Sequence, residues 1–394
     1  MSQGGTTAAL WSLAAGNLAV GTGSLVLAGM LPGMALDLER TEAATGQALT
    51  AYAIAVAFGG PLLAGPTSRL DRRFLLFAAL LLLAVANAVA AFAPDLEWLI
   101  GARVLAGLCA SVTTPVAAAT AAMIVPADKR GQAMGFVFAG FTAAAVIGIP
   151  LGALAAGSFG WRATLEGVSA LALIAAIAVL AWAPRGLRGA PIDGVAWKEL
   201  MRSPRLFAII LVTALQALGQ FMLFTYIAPA LADQIGADAR MVSLMFFVCG
   251  AAGLVGTLAA SRFIDRFGPP VMVQLMIFLA QAAFLLWPAG QNSFAVTAAL
   301  IGLWGVASFT INGATQAWLM FEAPHLAKAT LPLNTSAIYV GQAFGAALGG
   351  LALAKLGSYW LAPIGGVILA VALSLSILVA AHAPRRAERR RERA

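Results

Sequence analysis

The sequence predicts an all-α membrane protein, with twelve transmembrane helices in two pseudo-symmetric six-helix bundles. Three observations predict it. Twelve apolar stretches, most of 20 to 25 residues, fill the 394-residue chain, and at 1.5 Å per residue each can cross a ~30 Å hydrocarbon core. Hydrophobic residues make up 61% of the chain and charged residues only 10%, against about 25% charged in a soluble domain, so lipid must solvate much of the surface. Basic residues gather in every second gap between the stretches.

The stretches run in order over 10–34, 47–66, 74–93, 97–124, 131–155 and 164–183, then over 206–231, 240–260, 270–289, 293–320, 329–353 and 361–381. The first carries no charged side chain, and with no basic segment ahead of it we expect a span rather than a cleaved signal. The longest connection lies between the sixth and seventh stretches and contains five basic residues and three prolines. It divides the chain into a first bundle (1–184), a cytoplasmic linker (185–205), a second bundle (206–383) and a basic tail (384–394). A short amphipathic helix at 195–202, with Trp197 in the headgroup zone, is a further expectation. One side of the resulting topology holds 19 Lys and Arg, the other holds 4, and Arg103 stays inside a span. Positive loops remain cytoplasmic, so both ends are expected inside, with the tail against anionic lipid.

Composition also excludes other classes. The net charge of +8 resides in loops and tail, so it signals topology and lipid contact rather than nucleic-acid binding. Cys109 and Cys249 fall inside spans and read as small packing residues. His325 and His382 lie at span edges without metal-ligand or triad companions, and no phosphate-binding glycine loop is present, so neither enzyme chemistry nor ATP drive is expected.

The halves echo each other. Ser68-Arg69-Leu70-Asp71-Arg72-Arg73-Phe74 follows span two, and Ser261-Arg262-Phe263-Ile264-Asp265-Arg266-Phe267-Gly268 follows span eight. A same-orientation duplication places a pseudo-twofold axis along the membrane normal, with a cavity between the halves.

Four stretches carry a resemblance: Gly29-Met30-Leu31-Pro32; Tyr52-Ala53 with Gly60-Pro61-Leu62-Leu63; Arg103-Val104-Leu105-Ala106-Gly107; and Gly148-Ile149-Pro150-Leu151-Gly152 followed by Phe159-Gly160-Trp161-Arg162. In this order and spacing the chain resembles the major facilitator superfamily over essentially its whole length. Its first half is similar to the bacterial drug:proton antiporter, or arabinose-efflux-like, branch. The resemblance implies that Arg69, Asp71, Arg72 and Arg73, with Asp265 and Arg266, gate the cytoplasmic side; the plainer reading is positive-inside topology. It implies that Arg103 faces the interior and influences proton transfer, with carbonyls or Asn17 or Ser24 of span one as partners, whereas snorkelling is the alternative. It implies that Gly148, Pro150 and Gly152 bend span five and smooth its face, expected against span eight, in a feature tied to antiport; ordinary packing is the alternative. Gly341, Gly345 and Gly349 read as packing on span eleven. One departure counts against proton coupling: where relatives often carry an acidic residue in span one, this chain has Gly23 and Ser24.

Amides and hydroxyls facing lipid would lose their hydrogen bonds, so the polar residues at helical spacing should point inward. The candidate cavity residues are Asn17, Ser24, Tyr52, Thr113, Gln216, Gln220, Tyr226, Trp304, Ser308, Asn312, Gln316, Asn334 and Tyr339. Such a patch, free of carboxylates and edged by aromatics, suits a neutral or amphipathic organic solute. The expectation is therefore a monomeric bacterial inner-membrane efflux transporter, linked to drug resistance, using a proton gradient and no cofactor. Uncoupled or uptake transport of a sugar or metabolite, and a non-transporting receptor, remain alternatives.

Overall fold

The structure is a computed structural model that describes residues 3–126, 129–188, 199–290 and 293–382, without the side chains of residues 3, 4, 260–262, 265, 327 and 328. All twelve predicted stretches are helical. In the first half they are α1 (Gln3–Leu25) with α2 (Leu27–Asp37), a short α3 (Glu42–Thr45) leading into α4 (Gln47–Thr67), α5 (Arg72–Ala91), α6 (Leu96–Met123), and α7 (Arg130–Ala143) with α8 (Ile149–Trp182). In the second half they are α9 (Pro204–Phe224) with α10 (Ile227–Ile235), α11 (Ala239–Phe267), α12 (Pro269–Leu285), α13 (Phe294–Glu322), α14 (Ala327–Leu356) and α15 (Leu361–Ala381). The predicted helix at 195–202 lies largely outside the described residues, and the basic tail lies wholly outside them.

Among the described residues, nine helices are individually long and apolar enough to span a bilayer, or ten when α1 and α2, bent by 46°, count as one. The other two of the twelve stretches differ for local reasons. Arg130–Trp182 runs as one 53-residue helical segment, but it turns at Gly160, whose φ of 87° lies where side chains are disfavoured. This turn separates spans five and six. Helix α12 has 17 residues, with Pro269 and Pro270 opening it after Gly268 at φ 83°. Leu62, Phe92, Trp98, Ile174, Val255 and Phe321 are among many exposed large apolar side chains, a surface that lipid solvates.

Glycine sets how closely the helices approach. A Cβ on Gly345 would stand 2.5 Å from the Leu218 carbonyl oxygen, and one on Gly349 would stand 2.7 Å from that of Met222. The stripe predicted on span eleven thus packs α14 against α9. Across the seam, a Cβ on Gly250 would stand 2.7 Å from the Ala145 carbonyl oxygen, and one on Gly29 would stand 3.2 Å from Phe246. Gly46 gives room to the ring of Tyr226.

These contacts lie on the face opposite the basic loops. There one apolar core runs unbroken through both halves, from Leu25–Leu38 and Ile149–Ala153 to Tyr226–Leu231 and Val242–Phe246. A second core, including Leu13, Leu76, Leu83, Val137 and Val179, holds only the first half, with Tyr339 of the second packed on it. Toward the basic face the seam parts. The buried residues of α4 end at Gly59, and positions Gly60, Gly65, Gly131, Gly135 and Gly313 have open space around them. A cleft therefore opens toward the basic face, while on the opposite face a recess of about 520 Å³ lies between the halves, lined by Gly33, Asp37, Trp161, Arg162, Asp238 and Val242.

Replacing Gly345 with Val should push α14 off α9 and cost about 1–3 kcal/mol through overpacking. Thermal unfolding of the detergent-purified protein would read this as a lowered Tm, and an unchanged Tm would contradict the contact.

Candidate functional site

The residues of Arg103-Val104-Leu105-Ala106-Gly107 act together. Gly107 brings α6 onto α4, since a Cβ there would stand 2.6 Å from the Tyr52 carbonyl oxygen. One turn away, the Arg103 guanidinium lies over the Tyr52 ring, 4.6 Å from its centroid. Arg103 is 1% exposed, so it does not snorkel. It donates to the Gly23 carbonyl at 2.6 Å and to Asn87 Oδ1 at 3.4 Å. Asn87 is held in turn by donating to the Leu83 carbonyl at 2.8 Å.

Gly23 sits in the last turn of α1, where carbonyls run out of intrahelical donors and the helix dipole is negative. The expected carbonyl partner in span one is thus present, but neither Asn17 nor Ser24 fills that role. Asn17 donates to the Val137 carbonyl at 3.0 Å and ties α1 to α7. Asn87, which we did not anticipate, completes the set. As the one amide in α5, a helix apolar after Arg72 and Arg73, it carried a signal, but spacing alone did not reveal its partner.

Span five bends through a π-helix at Ala144–Gly148, with Pro150 in the first turn of α8. The smooth face of Gly148 and Gly152 points at Thr22 and Val26 of span one, not at span eight as expected. A proline's bend exposes carbonyls on one side while the small residues lie on the other. Span eight meets the exposed side: Ser243 Oγ donates to the Pro150 carbonyl at 2.7 Å, and Gly250 accommodates Ala145 and Val146. Val26 also marks the break between α1 and α2. The bends of spans one and five therefore lie against each other.

Asp71 caps α5 by accepting from the Arg73 and Phe74 amides at 3.0 and 3.2 Å. It also accepts from the Gly186 amide, while the Arg72 amide donates to the Leu187 carbonyl at 2.8 Å. The carboxylate does bridge to the end of a neighbouring helix, but within its own half and through backbone rather than to an arginine. Arg69 is exposed, and Arg266 lies 5.3 Å over the Phe267 ring. The side chain of Asp265 lies outside the described residues. On the basic face of the second half, Arg205 and Glu322 form an ion pair at 2.8 Å.

The polar cavity candidates divide into two groups. Tyr226 donates to the Ala346 carbonyl at 2.9 Å and plugs the closed face. Thr113 donates to the Cys109 carbonyl of its own helix, and Asn334 accepts from Thr213 at 2.7 Å. These three bond structural neighbours. The amides of spans seven and ten instead form one connected group. Trp304 Nε1 donates to Gln220 Oε1 at 2.9 Å, and Ser308 Oγ donates to the same oxygen. Gln220 donates to Gln216 Oε1, and Gln216 Nε2 reaches Asn312 Oδ1 at 3.4 Å. Asn312, Gln316 and Ser308 remain half-buried. Ser24 and Tyr52 are buried on the facing wall, and Tyr339 is partly buried between the halves.

On the closed face, Asp37 pairs with Arg162 and accepts from Trp161 Nε1 at 3.1 Å, while Arg162 also donates to the Ala93 carbonyl. In the second half Asp233 accepts from Ser358. The equivalent turns, with Gly160 and Gly357 at φ 87° and 86°, are thus pinned alike. The sequence showed the Phe159-Gly160-Trp161-Arg162 stretch but not the carboxylate anchors of these turns.

A family model described as Major Facilitator Superfamily matches residues 13–331. A chloramphenicol resistance protein of Streptomyces lividans is 33% identical, covering 92% of this chain and 94% of its own. A purine ribonucleoside efflux pump of Salmonella paratyphi A is 26% identical, covering 89% and 88%. Among solved structures, a bacterial homologue of the human lysosomal transporter Spinster, inward-facing and occupied, superposes with a TM-score of 0.75 at 16% identity, covering 97% of this chain and 98% of that one.

Replacing Arg103 with Ala removes the donors to Gly23 and Asn87, and flux should fall at least tenfold while the protein stays in the membrane. Replacing Asp71 with Ala removes the α5 cap, worth about 0.5–2 kcal/mol. Hydrogen exchange at the Gly186 amide should then quicken; unchanged protection would exclude that bond.

Proposed function

The chain belongs to the Major Facilitator Superfamily, and from that premise we propose that it is a secondary active transporter expelling a small neutral or amphipathic organic solute in exchange for protons. It is a multi-pass membrane transporter and not an enzyme. The observation that carries the finer reading is the chain of linked amides on spans seven and ten, half-buried at its Asn312 end and without a carboxylate among its members. Uncharged solutes gain hydrogen bonds there without leaving an ion unpaired.

With the basic face cytoplasmic, the cleft opens inward, the loading side for efflux from a bacterial inner membrane. Rocking of the two bundles about the bends of spans one and five would close that face and open the other. Relatives bearing the names of chloramphenicol resistance and purine ribonucleoside efflux support the efflux direction. They also supply the first compounds to test. We assign the transport unit to a single chain.

The second reading, uncoupled or uptake transport, draws on one observation. The end carboxylates are already engaged: Asp37 with Arg162, Asp71 with the α5 amides, Asp233 with Ser358 and Glu322 with Arg205. Proteoliposomes loaded with chloramphenicol or inosine separate the readings. Exchange requires efflux to rise several-fold under an inward proton gradient and collapse with an uncoupler. Flux indifferent to the gradient would leave the uncoupled reading.

A further inference from the structure

We propose that Trp304 fixes the direction of the amide chain and makes the second-half wall of the cleft a reader of hydrogen-bond acceptors. The cleft would then favour solutes presenting carbonyl, nitro or ring-nitrogen atoms over those presenting N–H or O–H. The inference takes its setting from the transport reading above.

The direction follows from donor chemistry. An indole nitrogen only donates, whereas amides and hydroxyls serve in either role. Trp304 Nε1 lies 2.9 Å from the Gln220 side chain, so the atom facing it must be the oxygen. That choice turns the Gln220 nitrogen toward Gln216, where it donates to the backbone carbonyl at 3.3 Å and to the side-chain Oε1, so the Gln216 amide presents its oxygen there. The Gln216 nitrogen then faces Asn312, 3.4 Å away, and the Asn312 oxygen must receive it.

Each amide is therefore set by the one before it. The sequence ends on Asn312 Nδ2, whose one hydrogen-bond partner among the described residues is the Ser308 carbonyl at 3.5 Å, the outer limit of a hydrogen bond. Asn312 is half-buried where Trp304 is 2% exposed, so the free donor end lies toward the cleft and the fixed end lies in the core. The Trp304 ring is itself held edge-on by Phe224 and Phe284, at centroid distances of 6.1 and 5.2 Å. It cannot turn its N–H elsewhere without repacking them. Ser308 reinforces the pattern but does not set it, because its hydroxyl can rotate to accept.

The test uses two uncharged bicyclic aromatic probes, quinoxaline, which only accepts, and indole, which only donates. Binding to the full chain in detergent is measured by ligand-observed NMR titration. Wild type should prefer quinoxaline about five- to tenfold, the scale of one neutral hydrogen bond. Asn312→Leu keeps the volume and removes the donor, so the preference should vanish. Trp304→Phe keeps the ring packing and releases the direction, so the preference should shrink to within about twofold. Equal binding by wild type, no binding of either probe, or a preference surviving in Asn312→Leu overturns the proposal. Discrimination between the probes without flux in proteoliposomes would sink only the transport reading; flux without discrimination would sink only this one.

Discussion

A guanidinium sealed among helices, where no water reaches, must find oxygen atoms or destabilise the structure around it. An ion left unpaired in such a place costs several kcal/mol. Arg103 finds its oxygens at Gly23 and Asn87 and its π-face at Tyr52. These partners belong to α1, α5 and α4, so one side chain on α6 joins the first four spans. The carbonyl it takes lies just before the break that lets α2 depart by 46°. Helix α2 then contributes Gly29, Met30 and Met34 to the core shared by both halves. The closed face is in this sense built on a cation whose counter-charge is the end of a helix rather than a carboxylate.

The seam separates two kinds of contact. On the closed face glycines admit backbone or aromatic rings, and close packing makes the joint all-or-none rather than continuously deformable. Toward the basic face Gly60 and Gly65 of α4, Gly131 and Gly135 of α7 and Gly313 of α13 have nothing opposite them, as does Gly33 beside the recess of the other face. Between the two levels lie the amides of α9 and α13. Gln216, Gln220 and Trp304 are buried there, while Ser308, Asn312 and Gln316 are half-buried.

Much of this was legible in the residues. Span length marked twelve stretches, all of them helical though nine or ten qualify as spans among the described residues, and an arginine too costly for lipid had to face inward. The amides of spans seven and ten share one face because they recur every four residues, and the structure joins them. Spacing gives a face, however, and not the neighbour it meets. Gly148 and Gly152 were assigned to span eight, but the bend turns them to Thr22 and Val26. Tyr226 and Thr113 share the spacing of cavity residues, yet each donates to a nearby carbonyl, and Asn334 accepts from Thr213 while its Nδ2 is left without a partner. The break between α1 and α2 falls at Leu25–Leu27 without a proline, just after Gly23-Ser24, the kind of pair at which helices bend.

The segment joining the halves is moored at both ends. Leu187 and Gly186 are tied to Arg72 and Asp71, while Glu199 meets His325 at 3.0 Å and Leu200 is fully buried. From Leu187 to Glu199 are twelve residue steps, which reach about 40 Å at most. This leash caps how far its two moorings can part: the mouth on the basic face can gape no wider than its tether allows. Shortening the leash would throttle that aperture without touching a single cavity atom.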